Sequence, residues 1–123
     1  MVIKIKSLVN YNRTSQKIME LLQKEMINYV TNYQVDDRTV MPILVEGKII
    51  IKTLERGSLA YASMAHFKAR NLLNIVMRHN FCYGILTDGE RIIIVGDGYY
   101  DVSKFSLDNL INVIKELLKR CRR

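Results

Sequence analysis

No stretch of the 123-residue sequence approaches the ~20 uninterrupted apolar residues that a membrane-spanning helix requires. The opening segment, Met1-Val-Ile-Lys-Ile-Lys6, is too short and too charged for a secretory leader. Cysteine is scarce. Cys82 lies in an apolar run and Cys121 on the apolar face of a C-terminal helix, far apart in the chain and without the spacing of a metal-ligand pair. They read as buried free thiols, which implies a reducing, cytoplasmic setting. The chain also lacks a phosphate-cradling glycine loop, Gly-x-Ser-x-Gly, Cys-x-x-Cys and a histidine pair at metal spacing. Gly96-Asp97-Gly98 follows a return strand with no helix behind it, so it is not a dinucleotide fingerprint.

What remains is a chain of ordinary globular balance, 49% hydrophobic and 25% charged, whose length suits a single domain spanning residues 1–123. Its net charge of +7 is concentrated at the end: Lys119, Arg120, Arg122 and Arg123 leave only +3 for everything before them. Such a tail neutralises phosphates by counterion release, which makes these four residues candidates for binding DNA or RNA. The same tail also complements a helix dipole and aids solubility.

Val2 to Lys6 alternates as a half-buried strand whose lysines suit an edge. After the N-cap candidates Thr14 and Ser15, the residues Ile18, Leu22, Met26, Tyr29 and Tyr33 recur at helical spacing. Gln34 to Leu54 is β-rich, with two β-branched runs on either side of Glu46-Gly47-Lys48, and Pro42 belongs at a strand start or on an edge. Ser58 caps a second helix ending at Arg78-His79-Asn80, with Ala60, Ala62, Ala65 and Ala69 as a small-residue surface. Phe81 to Thr87 and Arg91 to Val95 flank Asp88-Gly89, a hairpin signal of the type I′ kind. Ser106 caps a last helix with Leu107, Leu110, Ile114, Leu117 and Cys121 on one stripe. His66 reads as a packed side chain and His79 as a helix-end cation. The order predicts an α/β fold, a mixed central sheet flanked by helices, with the second helix crossing between strands.

One constellation carries chemistry. Asp37 followed by Glu46-x-Lys48 has the form in which two carboxylates hold Mg²⁺ against a scissile phosphate while a lysine assists the attacking water. Glu and Lys two apart on a strand point the same way. The element order also resembles the PD-(D/E)XK nuclease superfamily, especially archaeal Holliday-junction resolvases and the N-terminal domain of type I restriction R subunits. The resemblance spans roughly Ser15 to Val95 and includes Tyr83-Gly-Ile-Leu-Thr-Asp-Gly89. It implies a restriction-endonuclease-like fold and a Mg-dependent endonuclease acting on phosphodiesters. In one register Asp37, Glu46 and Lys48 match the catalytic set, Asp37 and Glu46 are the metal ligands, and Glu20 matches the first-helix acid of resolvases. In the other, Glu46-Gly47-Lys48 is a hairpin turn, Pro42-Ile43 matches the Pro-Asp position, and Lys52-Thr53-Leu54 falls where Glu-x-Lys belongs. The catalytic carboxylates are then gone, and the surface binds nucleic acid without cutting it. Glycine is unfavourable in a central strand, and Glu-Gly-Lys between β-branched runs is good turn chemistry. A reading of another class is a non-catalytic protein-interaction or dimerisation module. In it the six methionines and seven tyrosines, Tyr99-Tyr100 among them, would cover a homodimer face.

Overall fold

The computed structural model describes residues 13–96, 99–103 and 109–121. Its elements run α1 (Arg13–Lys24), β1 (Tyr29–Asp36), β2 (Thr39–Val45), β3 (Ile49–Thr53), α2 (Ala62–Arg78), β4 (Tyr83–Thr87), β5 (Ile92–Gly96), β6 (Tyr99–Ser103) and α3 (Leu110–Arg120). The expected α/β architecture is present: one mixed sheet in the order β1-β2-β3-β4-β5-β6, with helices on it. β3 and β4 are parallel and every other neighbouring pair is antiparallel. Two parallel neighbours need a crossover, and α2 supplies it. Val40–Leu54 and Phe81–Val95 therefore belong to one sheet, as predicted.

The β-branched runs alternate their side chains between two faces, and each face has its own core. On the first, Ile43, Val45, Ile49, Ile51, Tyr83, Ile85 and Ile92 pack with Ile18 and Leu22 of α1 and Leu110, Ile111, Ile114 and Leu117 of α3. On the second, Met41, Leu44, Ile50, Leu86, Ile93 and Val95 pack with Ala65, Ala69, Leu72 and Val76 of α2. A Cβ on Gly84 would lie 2.9 Å from both Val76 Cγ2 and Val95 Cγ2, so a bare backbone at this position lets α2 sit close to β4.

Several local expectations are corrected. α1 ends at Lys24, and Tyr29 and Tyr33 belong to β1. Met26 stands at φ 57° and is 90% exposed, so the chain reverses there and the apparent helical period ends with it. Ser15 is not a cap; its hydroxyl is buried in α1 and shares a 2.9 Å hydrogen bond with Thr53 Oγ1. Ser58 does not cap α2, which begins at Ala62 behind Tyr61; the Ser58 hydroxyl donates instead to the Glu55 carbonyl at 2.6 Å. The helix does end as expected, with Asn80 at φ 63° after His79. His66 is exposed, and His79 pairs with Asp36 at 3.2 Å. Pro42 lies within β2, a strand paired on both sides, but one residue beyond its last partner on β3, where no ladder donor is required. Asp88-Gly89 is a hairpin with Thr87 opposite Ile92, a four-residue loop in which Gly89 alone has positive φ, so the two-residue I′ turn is not formed.

The free-thiol expectation is overturned as well: Cys82 and Cys121 form a disulfide, with Cα atoms 6.0 Å apart across a separation of 39 residues. Cys82 immediately precedes β4 and Cys121 caps the C-terminus of α3. Packing α3 on the first face brings its last turn to the start of β4, a proximity with no local trace in the chain. The predicted strand over Val2–Lys6, Ser106, Leu107, Arg122 and Arg123 lie outside the described residues. Among the described residues, no helix is long and apolar enough to cross a membrane.

Candidate functional site

The position of Glu46 decides between the two sequence registers. Val45, Glu46, Gly47 and Lys48 form a tight turn closed by the Lys48 N–H donating to the Val45 carbonyl at 2.9 Å. Glu46 and Gly47, at φ 52° and 69°, both adopt the left-handed conformation of a type I′ hairpin turn. All three residues of Glu46-Gly47-Lys48 are exposed. Glu46 is thus at a turn, off the sheet, where its carboxylate accepts the Asn28 N–H at 3.3 Å. Asp37 occupies the β1–β2 turn at the other end of β2, and the seven residues of that strand span about 24 Å at ~3.4 Å each. Asp37 is therefore not brought to the turn that Glu46 and Lys48 share. Glu20 is exposed on α1. Among the described residues, no group of three or more histidine, cysteine, aspartate or glutamate side chains is placed to hold a metal ion. Glu46→Gln is expected to leave the melting temperature unchanged, because the carboxylate makes one exposed contact and replacements at such sites alter stability by less than about 0.5 kcal/mol. A drop of several degrees in calorimetry would show that Glu46 holds the turn.

The β1–β2 turn has a structural use for its acid. Asp36 accepts the Arg38 N–H at 2.9 Å, and this backbone hydrogen bond, with further help from Thr39 and His79, holds its carboxyl below the ordinary range despite some desolvation. Of the basic tail, Lys119 and Arg120 are exposed at the end of α3, where they complement the helix dipole.

Three features escaped sequence reasoning. The first is a knot of buried polar groups at the C-terminal ends of β3 and β4: Ser15, Thr53, Thr87 and Asp88. Asp88 accepts backbone N–H groups from Leu59, Glu90 and Arg91, each at 2.9 Å. It thereby ties the segment before α2 to the β4–β5 hairpin, and Arg91 donates back to the Leu59 carbonyl at 2.9 Å. Burial raises the pKa of Asp88, but the three N–H donors outweigh it, and the net direction is down.

The second is an apolar surface on α2. Met64 and Phe67 are 45% and 61% exposed on the part of the helix turned away from Ala65, Ala69, Leu72 and Val76, and Tyr61, the residue before the helix, is 74% exposed. The third is Lys52, the one polar side chain in Ile49-Ile-Ile-Lys52. It pairs in register with Leu86 and so faces the α2 side of the sheet, half-buried. The second sequence register places Lys52 at the Glu-x-Lys position, but its burial has no signal beyond a lone lysine in an isoleucine run.

No family model matches the chain, and no curated protein or solved structure is detectably similar to it.

Proposed function

We propose that the protein is a non-catalytic interaction module that docks an acidic protein segment carrying apolar side chains onto α2. The observation that carries this reading is the exposed Tyr61, Met64 and Phe67 surface. Large aromatic and methionine side chains are the residues from which interface cores are built. α2 also supplies the charge: Ala62–Arg78 contains Lys68, Arg70 and Arg78 and no acid. Opposite charge on the partner speeds encounter and excludes wrong partners, while the apolar contacts hold the complex. The same positive surface, on a chain of net charge +7, disfavours a second copy as the occupant. The separation of Asp37 from the Glu46-Gly47-Lys48 turn by the length of β2 supports a binding role over phosphodiester hydrolysis.

Panning a displayed random-peptide library against the protein should enrich peptides that combine Asp or Glu with aromatic or aliphatic residues. Met64→Ala with Phe67→Ala should weaken an enriched peptide at least tenfold, about 1.4 kcal/mol, with the melting temperature unchanged. Enriched peptides indifferent to both substitutions would overturn the assignment. So would a concentration-dependent dimer in sedimentation that disappears in the same variant, or an oligonucleotide that competes with the peptide for α2.

A further inference from the structure

The exposed face of α2 has an order along its length. Phe67, Asn71, Asn74 and Arg78 follow the i, i+4, i+7, i+11 course of one helical ridge, opposite the buried Ala65, Ala69, Leu72 and Val76. All four are exposed. Among the described residues, the side chains of Asn71 and Asn74 make no hydrogen bond, and Arg78 makes no ion pair. Asparagine is a poor helix former, because its short amide competes with the helical backbone. Two of them three residues apart in the middle of α2 therefore weaken the helix that carries them. The ridge thus reads apolar at one end, amide in the middle and cationic at the other.

We infer that this ridge is a track for an extended peptide, which sets an apolar side chain on Phe67 and a carboxylate on Arg78 while Asn71 and Asn74 hold its backbone. The inference rests on the docking reading and adds the conformation and the spacing of the partner segment. In an extended chain the N–H and C=O of one residue point the same way, so one asparagine amide accepts from the first and donates to the second. A helical partner would arrive with its backbone already hydrogen-bonded, leaving the two amides nothing to bind. The Arg78 guanidinium takes a carboxylate through two parallel N–H donors, which fixes direction as well as charge. From Phe67 to Arg78 the helix rises about 16.5 Å. An extended chain covers that length in roughly five residues.

The test is fluorescence anisotropy with labelled serine-rich peptides that carry Leu-Phe at one end and Glu-Glu two, five or eight residues away, in both chain directions. The five-residue spacing should bind tightest in one direction, by roughly tenfold over the others. Asn71→Ala with Asn74→Ala should weaken that peptide by roughly tenfold, yet melt no lower than the parent, because alanine is the better helix former. Methylating the peptide's backbone nitrogens between Phe and Glu should weaken it as much, and the asparagine variant should not distinguish the two peptides. Arg78→Glu should reject the Glu peptide and accept its Lys counterpart. A peptide that binds through Met64 and Phe67 but ignores spacing and both asparagines overturns the track and leaves the docking reading standing. Helical circular dichroism in the bound peptide overturns it too. So does failure of the whole set to bind while library-selected peptides do.

Discussion

Reducing the Cys82–Cys121 disulfide is expected to destabilise the fold by about 4 kcal/mol, the chain-entropy value for a cross-link closing a loop of this length. The covalent tie restricts the unfolded chain more than the folded one, since the packed α3 already holds Cys121 near Cys82. Its removal therefore acts mainly by freeing the denatured ensemble. For a domain of this size the melting temperature should fall by roughly 15 °C, at about 4 °C per kcal/mol. The fold should remain cooperative, because Leu110, Ile114 and Leu117 stay buried without the bond. Calorimetry with and without a phosphine reductant measures the effect. The Cys82→Ser, Cys121→Ser double variant should melt where the reduced protein does and ignore the reductant. Identical melting of oxidised and reduced protein would mean that the bond is absent in solution.

Asp88→Ala should cost roughly 3 kcal/mol, or about 12 °C, because it strips one acceptor from three backbone N–H groups and a buried unsatisfied group costs ~1–3 kcal/mol. The loss falls on a side chain that is 1% exposed. Its pH dependence has a definite sign. The folded-state pKa of Asp88 is lowered, so its contribution is complete above the unfolded value of about 3.9 and is lost as pH falls through the folded value. The gap between parent and variant should be constant from neutral pH down to about 4 and narrow below it. A gap that is small at neutral pH, or that widens on acidification, would show that the three N–H groups find other acceptors. Hydrogen exchange at Leu59, Glu90 and Arg91 gives a second measurement, since all three amides should lose protection in the variant.

The protein's local grammar was legible in the chain. The isoleucine and valine runs specified strands, the stripe of Leu110, Ile114 and Leu117 specified a helix face, and Glu46-Gly47-Lys48 specified a hairpin turn. Each follows from forces acting within a few residues: alternation on a pleat, the 3.6-residue period, and the low cost of positive φ at Gly47. The parallel pairing of β3 with β4 was also legible, because a long helix between two β-rich runs leaves few other connections. The Asp37, Glu46 and Lys48 constellation looked like a site because proximity in sequence was taken for convergence, whereas a tight turn and a full strand length separate the residues. Tyr29 and Tyr33 kept the period of α1 by coincidence, and only the reversal at Met26 separates them from it.

Tertiary structure decided the rest. Whether two thiols 39 residues apart meet depends on where α3 lands on the sheet, and that is set by the first-face core. Whether Asp88 is a turn residue or the hub of three hydrogen bonds depends on the Leu59 segment folding over it. Whether Lys52 is solvated or half-buried depends on the core that forms on its face of the sheet. In each case the deciding contact joins residues remote in the chain, so its energy depends on the packing of both cores and leaves no pattern in the local sequence.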